Sequence, residues 1–309
     1  MATEDAVCQL RWRRLMPAIL ILVAMTLGSS QGQVSCPARC RSCVGEIVDC
    51  SNSRLAAPPL AYPDAIKTVN IEGNHIRALG SRSFRLNPNI EVLRAAGNRI
   101  RRLSNDAFWR RLPGLVTLDL SRNRIRRITS NALRNMTTLT TLDLSRNEIS
   151  SLRRIFHGTP NLYQLKLARN QIPSLDENDL AQLTELHNID LRANRISSVH
   201  PRAFKMLTKL RYLYLNQNPI GRMTNLDIGS EVLQMVDVSH AELTAVPKPF
   251  PASVREMRLD HNLIEQVNHT DFLGMENLQM LTMNDNRLNF FADGALAHLT
   301  NLREVRCTG

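Results

Sequence analysis

The side chains able to do chemistry in this chain form a short list. Its eight histidines are mostly scattered. One pair stands out: His240 and His261, with Asp260 and Asp285 close by. Such a group suits either a metal or acid-sensing site, or simply two solvated histidines, which is the commoner situation. There is no GxSxG, HExxH or phosphate-binding glycine loop, so no nucleophile or hydrolytic metal centre is expected. No cofactor is expected either.

Arginine is the more concentrated resource. The 309 residues carry a formal net charge of +11. From Arg94 to Arg127 there are ten arginines against two acids, Asp106 and Asp119. Arg99, Arg101 and Arg102 recur 25 residues later as Arg124, Arg126 and Arg127, while Arg122, Arg146 and Arg169 form a second series. The planar guanidinium fork matches sulfate and carboxylate. A ridge built from these residues therefore suits heparan-type sulfated glycans, or else is a plain solvated edge.

What positions these residues begins with an address. Arg11, Arg13 and Arg14 precede an apolar run from Leu15 to Leu27, and Gly28, Ser29 and Ser30 follow. A basic region, an apolar stretch and a small-residue exit predict a secretory signal over residues 1–30, cleaved near Ser30 or Gly32. The apolar run is short for a membrane span, which needs about 20 residues; an uncleaved anchor is the alternative. Export removes three arginines and two acids, changing +11 to +10. It also makes nucleic acid an unsuitable target and favours anionic glycans, membrane surfaces or acidic proteins.

The rest is periodic. Leu118-Asp-Leu120-Ser-Arg-Asn123-Arg-Ile125 returns as Leu142-Asp-Leu144-Ser-Arg-Asn147-Glu-Ile149 and as Ile189-Asp-Leu191-Arg-Ala-Asn194-Arg-Ile196. Asn74, Asn98, Asn123, Asn147, Asn170, Asn194, Asn218, Asn262 and Asn286 anchor the register, with Ala241 in the same slot. Successive spacings are 24, 25, 24, 23, 24, 24, 23, 21 and 24 residues. The 44 leucines and 26 asparagines are the signature of this one unit used many times.

The leucines flanking each LxL centre point inward from a short strand while alternate residues point out. An asparagine that both donates and accepts satisfies backbone groups in the buried turns. Ile76, Ile100, Ile125, Ile149, Ile172 and Ile196 fill the core two residues later. Phe84, Phe108, Leu133, Leu180 and Phe204 close the outer side. No repeat has enough core to fold alone, so stacking supplies it.

The chain resembles the leucine-rich repeat family, in its 24-residue extracellular type, over residues 58–309. The resemblance implies an α/β solenoid, or horseshoe: a concave parallel sheet and an irregular or short-helical convex side. Cys36-Pro-Ala-Arg-Cys40-Arg-Ser-Cys43 and Cys50 resemble the N-terminal cysteine cap of such proteins, here residues 31–57. The resemblance implies the bridges Cys36–Cys43 and Cys40–Cys50, although two residues separate Cys40 from Cys43 where one is usual; a zinc site is the alternative. The short repeat Leu243-Thr-Ala-Val-Pro247-Lys-Pro249-Phe-Pro251 resembles that of small leucine-rich proteoglycans, and its prolines favour an extended back.

No second cap follows. The chain stops at Cys307-Thr-Gly309, within an eleventh strand. That suggests a fragment of a longer protein, or else a Cys307 that bridges to a partner chain and an uncapped end that self-associates.

Concave faces of solenoids are where partners bind. The central outward row is Asn70, Arg94, Asp119, Asp143, Lys166, Asp190, Tyr214, Asp237, Arg258 and Thr282. Asp119 and Asp143 are adjacent like charges, either a recognition feature or neutralised by Arg94 and Lys166. Tyr212, Tyr214, Met235 and Met280 form an apolar patch of the kind that anchors interfaces. Two glycosylation acceptors, Asn135-Met-Thr137 and Asn268-His-Thr270, fall off the concave strands. The sequence thus predicts an extracellular, non-enzymatic module with a protein ligand or receptor as partner, a sulfated glycan as the alternative, and no membrane span.

Overall fold

A computed structural model describes residues 35–308 apart from 81–83, 85, 106, 107, 109–111, 224 and 225. The export signal over residues 1–30 lies outside the described residues. Cys36 onward forms one unit.

That unit is a solenoid. Each LxL centre makes a three-residue strand whose middle residue is buried, as in Thr117–Asp119, Thr141–Asp143 and Asn188–Asp190. Thirteen strands join in one sheet, parallel from Ile47–Asp49 onward. The register never slips: Leu93 pairs with Leu118, Leu118 with Leu142, and Leu142 with Leu165. Because successive residues face opposite ways, one core and one outward face are continuous along the stack. The isoleucines from Ile76 to Ile196, with Phe84, Phe108, Leu133, Leu180 and Phe204, are all buried. The outer connections are turns, and no helix occurs among the described residues. The proline-bearing segment after Leu243 is irregular, with bends at Thr244 and Ala245 and no helical turn.

The asparagines knit neighbouring repeats together. Asn123 Nδ2 donates to the carbonyls of Leu120 and Ala95 at 3.0 Å each, and its Oδ1 accepts the Ile100 N–H at 3.0 Å. Asn98, Asn147, Asn170, Asn194 and Asn218 repeat the pattern. Ala241 interrupts it, and two local changes compensate. Asn262 Oδ1 accepts both the Ala241 and Leu243 N–H groups. The Ile220 N–H turns to the Asn218 carbonyl instead, beside Gly221 at φ 68°.

The residue preceding each ladder position is left-handed. Gly73 and Gly97 begin this series, and Arg122, Arg146, Arg169, Ala193, Gln217, His240, His261 and Asp285 continue it at φ 51–59°. At the N-terminal end, Ser42–Val44 and Ile47–Asp49 form an antiparallel hairpin laid on the first sheet strand. Cys36–Cys43 and Cys40–Cys50 are bridged. Cys307 is free and exposed.

Candidate functional site

The sheet presents its outward residues in straight rows. One row runs Asn70, Arg94, Asp119, Asp143, Lys166, Asp190, Tyr214, Asp237, Arg258 and Thr282, each in register with the next. The neighbouring row carries Gln164, Asn188, Tyr212, Met235, Glu256 and Met280.

The aspartates hold the backbone. Asp119 Oδ1 accepts the Ser121 N–H at 2.8 Å, and Asp143 Oδ1 accepts that of Ser145 at 2.9 Å. Asp237 takes the Ser239 N–H and hydroxyl at 3.0 and 2.6 Å. Each carboxylate therefore caps the turn two residues on. Lys166 Nζ lies 3.7 Å from Asp143 and balances its charge. Asp119 and Asp143 thus have structural work besides any contact with a partner.

The apolar patch is rearranged relative to the sequence reading. Met235 is only 7% exposed, so it is not an anchor. Its flexible thioether chain is covered between the flanking strands of Tyr212 and Glu256. Met280 is half-buried, and Glu256 separates it from Met235. Arg258 is exposed and bonds that glutamate at 2.6 Å.

Tyr212 and Tyr214 are half-buried and outward, as expected. Arg192 sets its guanidinium carbon 5.6 Å from the Tyr214 ring centroid, and Tyr212 Oη bonds Gln234 at 3.2 Å. A third tyrosine belongs with them. Tyr163 is 48% exposed and stacks on His187, with centroids 4.1 Å apart. It lies just before the strand Gln164–Lys166, in a row of residues linked by backbone bonds: Val116, Thr140, Tyr163, His187 and Arg211. Period-two alternation within the strand does not reach that slot, although the matching slot one repeat on holds His187. Three of the chain's four tyrosines thus face outward across three consecutive repeats.

The arginine ridge is realised in register. Arg102 pairs with Arg127 in a small two-stranded sheet, and the Arg126 N–H bonds the Arg101 carbonyl at 2.9 Å. Arg99, Arg101, Arg102, Arg122, Arg124, Arg126, Arg127 and Arg146 are all exposed. Arg126 Nε reaches Glu148 at 2.6 Å, and these two with Arg101 and Arg124 line a shallow groove.

His240 and His261 are brought together, their rings stacked at 4.1 Å and 17°, with His261 Nδ1 3.3 Å from Asp285. The Asp260 carboxylate points elsewhere, accepting from Asn284 and the Thr282 hydroxyl. Among the described residues no group of three or more His, Cys, Asp or Glu is arranged to hold a metal ion. Asn135 and Asn268 are exposed, away from the sheet rows. Among the described residues no helix is long and apolar enough to cross a membrane.

A register-locked stack of units of about 24 residues behind a disulfide-bonded hairpin defines a repeat solenoid with one continuous sheet. The family model described as leucine rich repeat matches residues 113–172, 184–243 and 252–306, and the chain belongs to that family. Asporin of Bos taurus is 31% identical over 112 residues, covering 35% of this chain and 30% of asporin. Podocan-like protein 1 of Mus musculus is 28% identical over 260 residues, covering 82% of this chain and 37% of the relative. The chain thus spans about a third of the length of these relatives. Among solved structures, an octameric complex of Latrophilin 3, Unc5D and the repeat domain of FLRT2 contains a chain with a TM-score of 0.76 at 24% identity, covering 87% of this chain and 83% of that one. Relatives of this kind are extracellular matrix or cell-surface proteins, and the family match agrees with a binding protein that has no enzymatic activity.

Proposed function

We propose that this chain is an extracellular recognition module that binds a protein partner on its sheet face, around Tyr163, His187, Tyr212 and Tyr214. The observation that carries this reading is the clustering of three outward tyrosines on two repeats, with His187 on the repeat between them stacked on Tyr163. Tyrosine offers a large contact area and a polar tip at little entropic cost, and it dominates interface energetics. Arg211, exposed next to His187 in the same row as Tyr163, adds a positive charge at the edge of this patch. The solved FLRT2 repeat domain, found with Latrophilin 3 and Unc5D, supports a protein as the partner class. The test is binding of the secreted chain to an array of cell-surface and matrix ectodomains. Replacing Tyr163, Tyr212 and Tyr214 together with alanine should weaken its best interaction by at least about 30-fold, the loss of one strong anchor. An unchanged interaction would refute the reading.

A second reading rests on a separate observation: the in-register arginines of the second and third repeats, with Glu148 as the paired acid. These favour a sulfated glycan as a further ligand. Replacing Arg101, Arg102, Arg126 and Arg127 with alanine should lower the salt needed for elution from heparin, because such contacts are screened by added salt. Unchanged retention would end this reading.

A further inference from the structure

On the outer side of the third repeat, Asn135 lines a groove of about 250 Å³ together with Ser130, Arg134, His157, Gly158 and Pro160. The groove spans the seam between two repeats. Asn135 comes from one turn and His157, Gly158 and Pro160 from the next. Asn135 stands at φ 63°, a left-handed conformation that asparagine accepts more readily than most residues. Both it and Thr137 are exposed, so the acceptor motif is accessible. The seam is close. A Cβ on Gly158 would sit 2.3 Å from the Leu133 carbonyl oxygen and 2.5 Å from Arg134 Cα. The absence of that carbon lets the second turn lie directly on the turn that presents Asn135.

From this placement we infer that an asparagine-linked sugar on Asn135 occupies the groove and staples the two repeats together. Attachment needs a lipid-linked pyrophosphate sugar donor. The C1–O bond to the pyrophosphate breaks, a C1–N bond to Asn135 Nδ2 forms, and one amide proton is lost as the lipid pyrophosphate leaves. The first sugar ring then lies between Arg134 and His157, whose N–H groups donate to its hydroxyls and acetamide carbonyl, and against the apolar ring of Pro160. The second acceptor is built differently. The Asn268 N–H and side-chain amide both turn to Asp271, at 2.7 and 3.4 Å, and the Thr270 hydroxyl meets Lys248 Nζ at 3.2 Å. A sugar there would project into solvent without bridging repeats.

The test uses the full chain secreted from a eukaryotic cell line, with site occupancy read by mass spectrometry. Thr137→Ala removes the Asn135 sugar while leaving the left-handed asparagine and the Asn161 bond to the Thr137 carbonyl in place. It should lower the melting temperature by about 2–4 °C, whereas Thr270→Ala should do so less. His157→Ala should give a similar loss in the glycosylated chain and none in the same chain with Thr137→Ala, the coupling expected of a direct contact. An unoccupied Asn135, or an occupied one whose removal leaves melting unchanged, would overturn the inference. So would additive effects of His157→Ala and Thr137→Ala.

Discussion

Arg192 sits over the face of Tyr214, 5.6 Å from ring centroid to guanidinium carbon, while its Nε and Nη2 hold the Asp190 carboxylate at 2.9 and 2.7 Å. The aspartate fixes the arginine, and the arginine fixes the tyrosine face that the outward patch presents. Burial pushes the Tyr214 phenol above its ordinary value, while the positive charges of Arg192 and Arg258 pull it partway back. A phenol raised in the folded state adds stability that is whole below the unfolded value of about 10 and is lost as pH rises through the folded value. Arg192→Ala should therefore move the Tyr214 titration to higher pH. Carbon-13 tyrosine NMR checks this, and a shift to lower pH would show that the cation does not act on the ring.

The asparagine ladder predicts a large and local stability effect. Asn147 is 7% exposed and bonds Leu120 O, Leu144 O and the Ile125 N–H. Asn147→Ala leaves the buried Ile125 N–H without its partner and takes one of two donors from the Leu120 and Leu144 carbonyls, which Asn123 and Asn170 still serve, and should cost about 1–3 kcal/mol. Urea unfolding measures this. A loss under about 1 kcal/mol would mean that water replaces the side chain.

Two small-residue substitutions should act in opposite senses. Ala193 stands at φ 54°, where a Cβ costs about 1–2 kcal/mol. Ala193→Gly removes that strain against a smaller entropic cost and should stabilise by up to about 1 kcal/mol. Gly229 has the reverse problem, since an added Cβ would lie 1.8 Å from the Lys205 carbonyl oxygen. Gly229→Ala should destabilise by about 1–3 kcal/mol. The urea midpoints of the two variants should fall on opposite sides of the wild type.

The repeat register, the ladder and the buried isoleucines were legible because one spacing fixes them all, and any slip would turn the whole leucine set outward. The disulfide pairs came through resemblance to a family and not through spacing. Other features were out of reach for identifiable reasons. Alternation places Met235 on the outward face but does not say whether neighbouring side chains cover it. Asp119 and Asp143 read either as a recognition feature or as charges neutralised by Arg94 and Lys166, and not as caps, because a cap two residues on depends on the turn geometry. Tyr163 lies one residue outside the strand, where periodicity carries no direction. The left-handed slot is visible as glycine only at Gly73 and Gly97; later repeats fill it with arginine, alanine, glutamine, histidine or aspartate.

The most direct measurement masks the sheet face with a sugar. Asp190→Thr converts Asn188-Ile-Asp190 into an acceptor motif, placing a glycan beside Tyr212, with which Asn188 is in register. With occupancy confirmed by mass and folding confirmed by an unchanged urea midpoint, recognition on this face predicts loss of binding to the ectodomain that the wild-type chain captures, while occupancy of the Asn135 or Asn268 acceptor leaves it intact. Full binding by the Asn188-glycosylated chain would contradict it.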